Sequence, residues 1–379
     1  MIAKSKVLQY CHNNMRYRTG VVTYSTDDLY QEPSCWSNYK NHLSTFDKLL
    51  IEKWESCVKN GLCRYDLNDC KYKVLECEDQ KSSFKGVAIY NVQRRTNRRK
   101  ACTFETMNEA FSHEKFNFNQ VKDEEVMFYL NPVNKSQSIE SNSNNNGSQL
   151  GNSMRKHALL VNVSPNDYCS CLLVPDVKSC HPQQINAESL LVAFDLVQLS
   201  NHPGFYVGFN GINAWASVNH LHFHCCYTDY ELYLADTPYS RKISDLCFLI
   251  DDKSPVSGFV FPVSSDVGKR RLTASSIEKV VKILISIETP YNIAICKSSK
   301  GLGTRCFLWP RKSTKHMNAD FPIRLGSSEM TGHCIVTSEE YLDSLSGSKA
   351  SNIIKESSLK ESEFLIVKEK VSQVLTGVF

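Results

Sequence analysis

Apolar and polar positions follow two periods along this chain. In "STFDKLLIEKWESCVKNGLCRYDL", Phe46, Leu49, Leu50 and Trp54 fall at helical spacing behind a Ser44 or Thr45 cap, with Asp47 in the first turn. That pattern predicts a helix ending near Gly61. "FKGVAIYNVQ" and "EEVMFYLNP" read instead as strands, the second stopped by Pro132. "HALLVNVS" and "CSCLLVPDV" predict two more strands, and "NAESLLVAFDLVQLSNHPG" predicts a helix capped by Asn186 with Leu190, Phe194 and Val197 on one face. The chain returns as "FYVGFN", turns through "GINAWA" and enters "SVNHLHFHCCY". Past residue 245 the pattern recurs in kind. "GFVFPV" is a strand, "TASSIEKVVKILISIET" a helix capped at Thr273 or Ser275, and "YNIAICK", "TRCFLWPR" and "GHCIVTS" three more strands. This order predicts an α+β fold on a mainly antiparallel sheet with packed helices.

The same reading divides the chain into an irregular segment at 1–42, one domain at 43–345, and a Ser- and Lys-rich C-terminal tail at 346–379 with one short helix. Within the domain, residues 134–154 read as a disordered insertion, because the first twenty of them hold six Asn and six Ser, too little apolar area to offset ordering entropy.

Composition narrows the function classes. Forty-four Lys and Arg against forty Asp and Glu leave a formal +4, too little to argue for nucleic-acid wrapping or a polybasic membrane anchor. No run is apolar enough to span a bilayer or form a secretory signal, so the reading is cytoplasmic, without membrane or nucleic-acid partners. Sixteen scattered cysteines without a C-x-x-C pair fit reduced thiols used as small apolar fillers. Cys57, Cys63, Cys70 and Cys77 recur closely enough to raise a metal alternative. The run "RRTNRRK", residues 94–100, is five-sevenths basic, a solvated loop or an approach to the phosphates of an anionic ligand.

The histidines at 220, 222 and 224 carry the chemistry. On a strand they share one face, while Leu221, Phe223 and Cys225 share the other. An imidazole left unpaired in a dry site costs on the order of 2–7 kcal/mol, and three cannot all be charged side by side. Two readings follow: a zinc or copper site, which this linear spacing fits poorly, and nucleophilic attack on phosphorus by the central ring. Asn210 and Ser217, on the loop leading into the histidines, supply amide and hydroxyl donors and favour the second reading.

These residues also resemble a known family. "HLHFH" behind an Asn-bearing turn looks like the signature of the histidine triad superfamily, in the galactose-1-phosphate uridylyltransferase branch. "FDKLLIEKWESCVKNGLCRYDL", "KFNFNQVKDEEVMF", "VNVSPNDYCSCLLVP", "GFNGINAWASVNHLHFH", "PYNIAI" and "TGHCIV" fall in the order seen in GDP-D-glucose phosphorylases and plant GDP-L-galactose phosphorylases. The third histidine favours the animal type, since the plant enzymes carry glutamine there.

The resemblance implies a histidine-triad fold and a two-step exchange. His222 would attack the guanosine-side phosphorus, expel hexose 1-phosphate and hold GMP until inorganic phosphate collects it as GDP. His220 and His224 would orient the nucleophile and stabilise charge, Asn210 and Ser217 would contact phosphate oxygens, and no metal or organic cofactor would be needed. GDP-hexose and inorganic phosphate would be the partners, with homodimer formation left open. This chain departs from the family at Cys169-Ser170, where Gly-His is usual, at Asp176, at Gly211 and Asn213, and at Asn119-Gln120. Those changes keep two alternatives in view: a sugar-nucleotide-binding relative with weakened turnover, and a nucleotidyl hydrolase.

Overall fold

The short apolar runs of the chain are gathered mainly into one large sheet. The structure is a computed structural model that describes residues 15–30, 32–77, 84–97, 102, 104–133, 156–298, 300–315 and 321–377. Its strands are β1 (Arg16–Arg18), β2 (Val21–Tyr24), β3 (Lys71–Glu76), β4 (Lys85–Tyr90), β5 (Val126–Pro132), β6 (His157–Val161), β7 (Cys171–Val174), β8 (Tyr206–Asn210), β9 (Phe223–Cys226), β10 (Tyr239–Ser244), β11 (Cys247–Ile250), β12 (Phe259–Val263), β13 (Tyr291–Lys297), β14 (Thr304–Pro310) and β15 (His333–Ile335). The helices are α1 (Thr45–Lys59), α2 (Val92–Asn97), α3 (Ala187–Leu199), α4 (Val267–Ser286), α5 (Ser327–Thr331), α6 (Glu339–Ser344), α7 (Gly347–Glu356) and α8 (Glu361–Thr376).

Twelve strands pair in the order β1-β2-β5-β6-β7-β9-β8-β13-β14-β12-β11-β10, and β15-β4-β3 form a second sheet. Within the large sheet only β2 and β5 run parallel. Counted outward from the β8–β13 seam, the order is β8, β9, β7, β6, β5 on one side and β13, β14, β12, β11, β10 on the other. Each half places its long helix, α3 or α4, between its third and fourth strands in chain order. The two halves are the same design used twice, joined by Gly208 opposite Ala294 and Asn210 opposite Asn292.

The sheet separates a helix-covered face from the face that carries the site. On the first, Leu190, Phe194 and Val197 of α3 and Ile277, Val281 and Leu284 of α4 pack against Leu221, Phe223 and Cys225. Each such side chain removed from water contributes about 1.5–3 kcal/mol. On the second, the outer half is filled by Phe307 and Trp309 of β14 under Val87 and Ile89 of the small sheet. The histidines lie on this second face, on the other half.

Several expectations change. The segment assigned to 1–42 as irregular contains the β1–β2 hairpin, which extends the large sheet through the β2–β5 pairing. The expected tail is two packed helices. Val367 and Val371 of α8, four residues apart, are buried in the main core, and Ala350 and Ile354 of α7 are buried under the small sheet. The domain expected at 43–345 therefore extends at both ends. Helix α4 begins at Val267, well before Thr273, because Asp266 caps it by accepting the Lys269 amide at 2.8 Å. The expected insertion at 134–154 lies outside the described residues. No disulfide joins any of the described cysteines.

Candidate active site

Only half of the histidine motif is a strand. β9 starts at Phe223, because the backbone before it is bonded elsewhere: Leu221 donates to the His181 carbonyl at 2.9 Å and His222 to Gln183 Oε1 at 2.9 Å. The alternation of faces nevertheless survives. His224 opposes Leu172 on one side and Gly208 on the other, so the row runs on through Ala294 to Phe307. β14, the counterpart of β9, presents Arg305, Phe307 and Trp309 on the face where β9 carries histidine.

Each imidazole has a distinct setting. Nδ1 of His222 faces two acceptors, the His220 carbonyl at 2.8 Å and Gln183 Oε1 at 3.0 Å. Nδ1 therefore carries the ring proton and the lone pair lies on Nε2, the arrangement a nucleophilic imidazole requires. Gln183 is fixed in turn, its Nε2 donating to the Asn210 carbonyl at 2.9 Å and the His222 carbonyl at 3.1 Å. His220 is the reverse tautomer, since its Nδ1 accepts the Phe118 amide at 3.1 Å. His224 lies 5.3 Å from His222 between ring centroids, and its Nδ1 is buried without a partner among the described residues. Burial pushes both flanking rings down to about 4, His220 helped by neighbouring His222 and His224 by Arg94.

A cavity of about 190 Å³ opens over His222 and His224 and is lined also by Asn210, Ser217, Arg94, Arg324 and Glu329. Asn210 is oriented by partners: its Oδ1 accepts from Asn292 Nδ2 at 2.9 Å and from the Ser327 amide at 2.7 Å, so its own NH2 is the group left to face a ligand. Asn292 is steadied by Arg311, which donates to its Oδ1 at 2.9 Å. Arg94 is tied through Nη1 to the Tyr65 hydroxyl at 2.8 Å and the Ser164 carbonyl at 3.0 Å, and its buried Nε has no partner among the described residues. The Glu329 carboxyl accepts the Gly326 and Ile335 amides, yet burial pushes it up to about 7.

The structure thus places Asn210, Ser217, His222 and His224 on one cavity, with His220 directly behind the central ring. Of the basic run, Arg94 reaches the site, and residues 98–100 lie outside the described residues. Gln183, Arg324 and Glu329 carry no periodic signal and come to the site through tertiary folding. Ser170, where the resemblance implies a histidine, is buried and accepts from the Asn162 side-chain amide at 3.2 Å. Asp176 faces Lys156 at 3.5 Å and His181 at 3.9 Å. Among the described residues no group of three or more His, Cys, Asp or Glu side chains is placed to hold a metal ion, which leaves the metal readings of the histidines and of Cys57, Cys63, Cys70 and Cys77 without a ligand set.

Two family models match the chain: GDPGP1-like, N-terminal domain, over residues 45–226, and GDPGP1-like, C-terminal domain, over residues 251–377. The chain belongs to the GDPGP1-like family. The gap between the two GDPGP1-like models falls around β10, close to the junction of the two structural halves. A Xenopus laevis relative named GDP-D-glucose phosphorylase 1 is 28% identical over 93% of this chain and 96% of its own. GDP-L-galactose phosphorylase 2 of Arabidopsis thaliana is 27% identical over 88% of this chain and 77% of its own. Among solved structures, yeast Ap4A phosphorylase Apa2 superposes with a TM-score of 0.56 at 14% identity, covering 84% of this chain and 99% of that one. The GDPGP1-like chain therefore has the α+β histidine-triad fold that its sequence led one to expect.

Proposed function

We propose that the chain is a nucleotidyltransferase of the GDP-hexose phosphorylase type, with GDP-glucose as its substrate, and that it works in the cytoplasm. The observation that carries the reading is the tautomer of His222: two acceptors at Nδ1 leave the Nε2 lone pair as nucleophile. Nε2 attacks the guanosine-side phosphorus, the bond from that phosphorus to the hexose phosphate breaks, and GMP is held as a phosphoramidate. Inorganic phosphate then displaces the histidine and leaves as GDP. The names of the relatives support this choice of substrate.

The charge on the transferring group is met differently from what the motif suggests. His220 and His224, held to about 4, are neutral at cellular pH and can donate hydrogen bonds but not charge. Arg94 and Arg324, on the same cavity, supply the positive charge, and the Asn210 amide and Ser217 hydroxyl add donors.

Incubation with GDP-glucose in the absence of phosphate, followed by intact-mass measurement, is expected to show a GMP adduct that phosphate discharges as GDP. The His222→Asn variant is expected to form no adduct and to lose turnover. Turnover persisting in that variant would refute the nucleophile, and discharge by water at an equal rate would assign a hydrolase instead.

A further inference from the structure

The base-reading side of the cavity has no sequence motif, but the sheet register locates it. Val126 of β5 opposes Leu160, Leu160 opposes Leu172, and Leu172 opposes His224, so these four form one row across the sheet on one face. At about 4.8 Å per strand, the row spans roughly 14 Å. Glu125 immediately precedes β5 and lines the cavity, as do Phe118, Val121, Leu160, Leu172 and Val218, which pack with Val126 of β5 in one apolar cluster. The cavity thus has an apolar wall beside its charged and polar groups. Arg94 stands by His224 and Arg324 lines the same cavity, Glu125 lies beside the apolar wall at the β5 end of the row, and the other lining carboxylate, Glu329, already accepts the Gly326 and Ile335 amides.

We infer that Glu125 reads the guanine of the bound nucleotide, accepting from its N1–H and N2 amino group beside the apolar wall. This rests on the reading of the chain as a GDP-hexose enzyme and goes beyond it by naming the residue that selects the base. With phosphorus at His222, the apolar wall receives the flat heterocycle, whose Watson–Crick edge meets Glu125. The carboxylate is held in place because its Oε1 accepts the Lys122 amide at 3.3 Å, and a carboxylate has further lone pairs to offer. Guanine presents two adjacent donors on that edge and so matches a carboxylate. Hypoxanthine lacks the amino donor, and adenine puts an acceptor at N1, opposite a negative oxygen. A site built around a charged acceptor discriminates against bases that leave it unpaired.

The test is calorimetric titration of the full chain and its Glu125→Ala and Glu125→Gln variants with GDP, IDP and ADP, beside steady-state phosphorolysis of GDP-glucose. Thermal melts check that the near-isosteric Gln variant folds. Wild type is expected to bind GDP more tightly than IDP, and IDP more tightly than ADP. Glu125→Ala is expected to lose GDP affinity on the order of 10- to 100-fold with ADP binding unchanged, and to raise KM with little change in kcat. A variant that keeps the wild-type GDP to ADP ratio while wild type phosphorolyses GDP-glucose overturns the Glu125 assignment alone. A wild type that binds no GDP overturns both this assignment and the function on which it rests.

Discussion

Gln183 shows how much of the central histidine's behaviour is decided by a side chain that no motif marks. One carboxamide accepts from the His222 backbone and ring and ties both to the Asn210 carbonyl. Gln183→Ala removes one of the two acceptors at Nδ1 and leaves a buried amide unpaired. It is expected to lower kcat on the order of 10- to 100-fold with a smaller change in KM, as steady-state kinetics would show. Arg94→Ala should do the opposite, raising KM for the sugar nucleotide and for phosphate more than it lowers kcat, with Arg94→Lys in between because it keeps the charge but loses the fork. The three histidines were legible because alternation along a strand is local information. Gln183 lies 39 residues from its partner and Asn292 lies 82 from Asn210, so only the fold brings these pairs together.

At the scale of elements, the patterns that succeeded were the capped ones. Ser44 and Asn186 close capping boxes at the starts of α1 and α3 as their spacing implied. The α4 start was misplaced because Thr273 is a plausible cap in sequence but an interior position, buried against β12 through the Pro262 carbonyl. β1 and β3 escaped notice for another reason: strands at sheet edges keep polar residues such as Arg16, Arg18 and Lys73 and lack an apolar signature, whereas β2 is apolar but only four residues long. The small sheet depends on a close backbone approach, since a Cβ on Gly86 would lie 2.0 Å from the Gly332 carbonyl oxygen. Gly86→Ala is expected to force β4 away from the turn before β15 and to cost about 1–3 kcal/mol or more, read as a lowered denaturation midpoint.

For the whole molecule, burial of histidine sets the response to acid. His157, His202, His220 and His224 are each pushed down to about 4 by burial. The unfolded chain, with histidines near 6.5, takes up protons first, so the stability these rings contribute is present above about pH 6.5 and is lost on the way down to about pH 4. Glu329 and Asp195, which burial pushes up to about 7 and about 6, work the other way, binding protons in the folded state before the unfolded one does. Four groups oppose two, so the urea midpoint is expected to fall between neutral pH and about pH 4.5, and a rise over that window would contradict the assignment.

The repeated five-strand design has one more consequence. His222, the proposed nucleophile, belongs to the first half, but Asn292 and Ser327, which aim the Asn210 amide, belong to the second. A polypeptide severed between the halves would thus be a complementation pair, silent as separate fragments and active only when the seam is rebuilt.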